Sequence, residues 1–175
     1  MSFEDPKPYI EKPTEEDILE LCATANSFFE VEKHADLLKL DSSVIAQIQS
    51  FDPNLVAVRK DKNKLIAWSV ILPTKNDIAR QFLDGTITEK EMFNRVMAEK
   101  SFETLYYLSF YADEENRGKG AGVYLVGNQT KQLKNDHPEV KNLIATTWGE
   151  DGKRTLEALS KRYGLKVDFV DYKHE

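Results

Sequence analysis

Cysteine is almost missing from this 175-residue chain. Cys22 stands alone, so no intrachain disulfide and no cysteine-ligated zinc site can form. Long apolar runs are missing too. The most apolar stretch, Leu65 to Leu72, is interrupted by Ser69 and falls far short of the ~20 residues that span a bilayer, so no membrane partner is expected. The first residues, Met1 to Pro6, lack a basic patch followed by an apolar core; no export signal is expected, and the cytoplasm is the expected location. Positive charge is in deficit, with 24 Lys+Arg against 30 Asp+Glu and a net charge of −6. That balance argues against broad nucleic-acid binding, which depends on neutralising phosphates. His34, His137 and His174 show no metal-ligand spacing, and no metal is expected. Glycine is scarce, eight in all, yet three fall within five residues at 118 to 122. What remains, 41% hydrophobic and 31% charged, is the balance of a globular protein. A chain of this length fits one domain over residues 1–175 and can bury roughly 70% of its unfolded surface.

Local patterns divide the chain into alternating elements. Residues 1 to 13 hold three prolines and read as an extended lead-in with a short edge strand at Tyr9 and Ile10. Thr14 followed by Asp17 predicts a helix start, because the hydroxyl caps a free N–H and the acids Glu15, Glu16 and Asp17 suit the positive end of the dipole. Ile18, Leu21, Cys22, Ala25, Phe28 and Phe29 then share one face. A second helix is expected from about Asp41 to Gln49, with Val44, Ile45 and Ile48 inward. Leu55 to Arg59, a polar turn at 61–64, and Leu65 to Leu72 read as a hairpin. Residues 74 to 103 read as a helical insertion, where Ile78 and Phe82 sit four apart and Thr88 with Glu91 forms a capping box. Packing, cover for an acceptor site and a homodimer contact are its open readings. Thr104 to Tyr111 is an aromatic strand. A helix from about Ala121 to Asn135, a strand from Asn142 to Trp148, a helix from about Lys153 to Arg162 capped by Gly164, and a strand from Leu165 to Tyr172 complete the chain. This order predicts an α/β or α+β sheet with helices on its faces.

The chemistry gathers in Asp113-Glu114-Glu115-Asn116-Arg117-Gly118-Lys119-Gly120-Ala121-Gly122, between the aromatic strand and the next helix. Glycines admit positive φ and leave no side chain in the way of a ligand. The helix starting there has unpaired N–H groups and a positive dipole end, and Arg117 and Lys119 add full charges. A phosphate or diphosphate matches such a loop. The P-loop string G-x-x-x-x-G-K-[ST] is absent, and Gly118, Gly120 and Gly122 give G-x-G-x-G instead of the dinucleotide G-x-G-x-x-G.

Arg117, Gly120 and Gly122 form R-x-x-G-x-G. With Asp113 before them, the segment resembles the acetyl-CoA signature of the GNAT superfamily of N-acetyltransferases, whose common form reads close to Asp-Pro-Glu-Tyr-Arg-Gly-Lys-Gly-Ile-Gly; the familiar proline is here Glu114. The element order from about residue 9 to 172 is also similar to that family, the 74–103 insertion aside. The resemblance implies a mixed, mostly antiparallel central sheet flanked by helices. It implies that amides of Arg117, Gly118, Lys119, Gly120, Ala121 and Gly122 hold the diphosphate of acetyl-CoA, and that the backbone of Ser109, Phe110 and Tyr111 pairs with the pantetheine arm. The thioester would lie where that strand and the strand from Asn142 separate. A small-molecule amine or a protein or peptide amine would attack it directly, with a strand N–H stabilising the oxyanion.

The resemblance also poses the question of proton transfer. Many members carry a tyrosine acid four residues before a Gly-Phe pair. With Gly164-Leu165 as that pair, the position is Ser160, and Tyr163 is the alternative. No carboxylate lies within Leu105 to Tyr111; Glu103, Glu150 and Asp151 flank the two strands and read as surface acids. Ordered water near Tyr106, Tyr107 or Tyr111 would take the amine proton, or the amine would be captured neutral. Two rival functions remain: the same fold binding CoA or acyl-CoA without turnover, and a dinucleotide-dependent redox protein.

Overall fold

The structure is a computed structural model and describes residues 11–99, 101–147 and 149–171. Tyr9 and Ile10, Trp148 and Tyr172 lie outside the described residues, although Glu11 does bridge antiparallel to Val58.

Helix α1 (Glu15–Phe28) begins where the capping pattern placed it. The Thr14 hydroxyl accepts from the Asp17 N–H, and the Asp17 carboxylate accepts from the Thr14 N–H. Asp17 is buried and also pairs with Lys60 at 2.7 Å. Burial pushes its carboxyl up, but hydrogen bonds from Lys60 and Thr14 together outweigh that and leave it below the usual range. Helix α2 (Ser42–Gln49) is capped by Asp41 and buries Val44, Ile45 and Ile48. The hairpin follows as β1 (Val56–Asp61) and β2 (Lys64–Thr74). β2 runs on through Pro73, past the expected end at Leu72. That proline is tolerated because β1 stops at the Val56–Val70 pairing, so Pro73 has only β3 beside it.

The segment expected to be a helical insertion forms α3 (Asn76–Leu83) and α4 (Glu89–Met97), the latter with the Thr88–Glu91 capping box. Then come β3 (Thr104–Ala112), α5 (Ala121–Asp136), β4 (Asn142–Thr147), α6 (Glu150–Tyr163) and β5 (Lys166–Asp171). Helix α6 starts earlier than expected. Its first turn carries Glu150 and Asp151, which favour a helix N-terminus, whereas Gly152 weakens the sequence signal there.

The strands form one sheet in the order β1-β2-β3-β4-β5. β1–β2 and β2–β3 are antiparallel, β3–β4 and β4–β5 parallel. The sheet is therefore mixed and flanked by helices as expected, with its antiparallel pairings confined to the N-terminal side. Consecutive residues of β3 show how both faces are covered. The Tyr106 hydroxyl reaches Glu89 of α4, and the Tyr107 hydroxyl reaches Thr130 of α5. Leu21, Ile45, Ile71, Met92, Leu105, Leu133 and Leu143 are fully enclosed in the core between these layers. Cys22 joins them, and burial, then Asp41, pushes its thiol up to about 11, which makes it an inert packing group. Among the described residues no helix is long and apolar enough to cross a membrane.

Candidate functional site

β3 and β4 begin as neighbours and then part. They pair from Thr104–Asn142 to Tyr107–Ala145 and no further, though β3 continues to Ala112. The cause lies on the other side of β3. Against β2 the register shifts, so that Val70 opposes Ser109 while Ile71 opposes Tyr107. Leu108 is the extra residue of a bulge, which bends a strand and increases its twist. Past that point the β4-facing edge of β3 has no strand partner among the described residues, and a cleft of about 820 Å³ opens between the strands. That size suits a small-molecule site.

At the outer end of β3 the glycine loop turns into α5. The Asp113 carboxylate accepts from both the backbone N–H and the side-chain amide of Asn116, and its carbonyl accepts from the N–H groups of Asn116 and Arg117. The Asn116 hydrogen bonds, and next Lys64 nearby, hold the Asp113 carboxyl below its usual range. The loop's acid is thus spent on shaping the turn. Gly118 and Gly120 sit at φ +75° and +86°, the left-handed region that suits glycine. Gly120 is the N-cap of α5 and has no side chain to satisfy the helix end. The Arg117 and Lys119 amides are taken by the carbonyls of Asp113 and Asn116. Those of Gly118, Gly120, Ala121, Gly122 and Val123 have no hydrogen-bond partner among the described residues. The unpartnered amides are therefore four consecutive ones at the helix start plus that of Gly118; those of Arg117 and Lys119, expected among the phosphate donors, are already bonded within the loop.

The expected binding residues Ser109, Phe110, Tyr111, Arg117, Gly118, Gly120, Ala121 and Gly122 all line the cleft; Lys119 does not. Arg117 is drawn back toward β3. Its Nε donates to the Ala112 carbonyl at 3.2 Å, and its guanidinium lies 5.3 Å from the Tyr111 ring centroid. Tyr111 stacks on Trp68 at 4.4 Å and meets Phe28 edge-on at 5.6 Å. Phe28 is 53% exposed and lines the cleft, so the last turn of α1 supplies part of the cleft wall. Ser109 is buried and accepts from the Trp68 indole N–H at 3.3 Å. On the opposite wall, Gly152 lies so near Phe110 that a Cβ there would stand 3.2 Å from the ring.

Neither residue expected as the acid stands at the cleft. The Ser160 hydroxyl donates to the Leu165 carbonyl at 2.6 Å, tying the end of α6 to β5. Tyr163 packs against the core, and its hydroxyl is buried without a hydrogen-bond partner among the described residues. Both positions came from a family pattern, not from the geometry of this helix. Of the flanking acids, Asp151 lines the cleft and Glu103 accepts from the Asn76 N–H.

The sequence also gave no sign of Thr146, Lys153 and Arg154, which line the cleft from β4 and α6, or of Glu89 behind it. Glu89 is buried. One carboxylate oxygen accepts from the Leu38 N–H at 2.8 Å and the other from the Tyr106 hydroxyl at 2.6 Å; Tyr106 in turn lies 3.0 Å from the Thr146 hydroxyl. Burial pushes the Glu89 carboxyl up to about 7 against the pull of its two hydrogen bonds, with Asp36 adding a smaller upward push. No group of His, Cys, Asp and Glu among the described residues is arranged to hold a metal.

Comparison with known proteins adds little to this geometry. No family model matches the sequence, and no curated protein matches it. A solved structure described as "Putative acetyltransferase from Agrobacterium tumefaciens str. C58" aligns with a TM-score of 0.49 at 13% identity, covering 95% of this chain and 98% of that one.

Proposed function

We propose that this protein is an N-acetyltransferase that moves an acetyl group from acetyl-CoA to a primary amine by direct attack. One observation carries the reading. Among the described residues, a run of unpartnered amides at the start of α5 adjoins a strand edge with no strand beside it, and both open onto the same cleft. A diphosphate suits the amides, because a helix N-terminus offers both donors and dipole. An extended amide-bearing chain such as pantetheine suits the unpaired edge of β3, as an added strand would. Arg117 and, across the cleft, Lys153 and Arg154 supply cations for a ligand with several phosphates. The thioester would then reach the inner end of the cleft, where β3 and β4 part and Thr146 stands.

A second reading keeps the ligand and drops the turnover. It draws on the absence of Ser160 and Tyr163 from the cleft wall, and describes a CoA or acyl-CoA sensor. The dinucleotide alternative rests only on glycines, at a spacing that does not fit.

Melting temperatures measured with acetyl-CoA, CoA, NAD and ATP separate the three. A ligand at a hundred times its dissociation constant adds ~2.7 kcal/mol, which is a rise of roughly 5–10 °C for a chain of this size. Acetyl-CoA and CoA are expected to give that rise, NAD and ATP far less. A rise with NAD or ATP alone would overturn both CoA readings. Release of CoA thiol on adding amines then divides enzyme from sensor.

A further inference from the structure

Glu89 is an unusual place for a carboxylate. It is the first residue of α4, where an acid is ordinarily exposed and held by the helix dipole. Here it is buried, bonded to the Tyr106 hydroxyl of β3, 17 residues along the chain, and is not itself among the residues that line the cleft. While Glu89 is ionised, its chemistry sets the hydrogen-bond directions. An ionised carboxylate can only accept, so the single Tyr106 hydroxyl proton goes to Glu89. The Thr146 hydroxyl must then donate to Tyr106, which leaves the Thr146 oxygen as an acceptor, and Thr146 lines the cleft. The chain Thr146 → Tyr106 → Glu89 is thus polarised in one direction, from the cleft to a buried anion. A small cavity of about 20 Å³, room for one water, also touches Glu89 and shares Phe29, Leu108 and Ser109 with the cleft wall.

We propose that Thr146, Tyr106 and Glu89 form the proton relay of the acetyl transfer, with Glu89 as final acceptor of the amine proton. This rests on the function proposed above. The amine nitrogen forms a bond to the thioester carbonyl carbon and the carbon–sulfur bond breaks. The nitrogen gives a proton to Thr146 Oγ1 as Thr146 passes its own to Tyr106 and Tyr106 passes its own to Glu89 Oε2. Reverse passage delivers a proton to the departing thiolate. One proton has left nitrogen, one has arrived on sulfur, and Glu89 is ionised again. The titratable groups facing Glu89 are Tyr106 from β3 and Asp36 from the segment between α1 and α2. Tyr106 is itself pushed well above its usual range, first by burial and then by Glu89, so it transfers protons without resting as an anion. Glu89 is half-ionised near neutrality, where an acceptor of this kind works best.

The test compares wild type with Glu89→Gln and Thr146→Val, using acetyl-CoA and a panel comprising an alkylamine, an arylalkylamine, a diamine and a lysine-containing peptide. Each variant is first checked for the acetyl-CoA melting shift, which the relay does not touch. Wild-type kcat is expected to rise with pH through an apparent pKa near 7. Glu89→Gln should lose that limb and ~10²–10⁴-fold in kcat, and Thr146→Val should fall in the same direction, both with KM for acetyl-CoA little changed. A carboxylate that merely ties α4 to β3 would leave the limb in place. If Glu89→Gln keeps both rate and limb, or if no amine releases CoA although acetyl-CoA raises the melting temperature, the relay is overturned and the binding site stands. If acetyl-CoA gives no shift at all, the function beneath it is overturned as well.

Discussion

Glu89→Gln is expected to be more stable than the wild-type protein above neutral pH and to lose that advantage in acid. The folded protein holds the Glu89 carboxyl at about 7, against an ordinary 4.5. A raised acid favours the folded state while it is protonated in both states, and that contribution is lost as pH climbs through the folded value. Below about pH 4.5 both states carry the proton and the group is neutral in its effect on slope. Between there and about pH 7 the unfolded chain ionises freely while the native carboxyl resists, at about 1.4 kcal/mol per unit. Wild type should therefore lose about 3 kcal/mol relative to the variant across this window. That corresponds to a relative drop in melting temperature on the order of 10 °C. Glutamine can still accept from the Leu38 N–H and donate to the Tyr106 oxygen, so the comparison isolates the charge. Denaturant melts of both proteins at intervals from about pH 4.5 to 8.5 would check it. Parallel stability curves would show that Glu89 does not ionise in a dry site.

Alanine at the three loop glycines should cost most at Gly120, less at Gly118 and nothing at Gly122. At Gly120 two costs combine. Its φ of +86° disfavours any side chain, and a Cβ would stand 2.6 Å from the Tyr124 ring. The left-handed backbone alone costs ~1–2 kcal/mol, and moving the ring adds to it. Gly118, at φ +75°, has nothing within 4 Å of a Cβ and carries the backbone cost only. Gly122 has an ordinary φ, and its Cβ would meet Ala112 at 3.6 Å, a normal contact. The helix gains from alanine there, so Gly122→Ala should fold as well as wild type or slightly better. Thermal melts without ligand read the series. Equal losses at all three would mean the loop does not hold this backbone path. Acetyl-CoA titration of Gly120→Ala should also show a reduced melting shift, because the displaced turn carries the free amides.

What could be read from the sequence was what neighbouring residues decide between themselves. The Thr14–Asp17 and Thr88–Glu91 caps, the hairpin and the glycine turn each depend on contacts within a few positions, and each is where it was expected. The site's inner half depends on contacts across the fold. Tyr106 meets Glu89 and Thr146 at separations of 17 and 40 residues, and only the sheet order brings β4 beside β3. Glu89 at the head of a capped helix reads as a surface acid, because capping and dipole explain it fully at short range. Ser160 and Tyr163 show the reverse. A family pattern assigned them a role, while the helix they sit on uses one to close its own C-terminal end and buries the other. Phe28 shows how periodicity identifies a helical face without saying whether core or cleft lies against it.

Amide NMR during titration with acetyl-CoA tests the central claim most directly. The resonances of Gly118, Gly120, Ala121, Gly122 and Val123 should move together and saturate with the ligand. Those of Arg117 and Lys119, already bonded to Asp113 and Asn116, should move less. Saturation by acetyl-CoA with those five amides unmoved, or no response anywhere in the protein, would contradict the assignment of this turn as the diphosphate site.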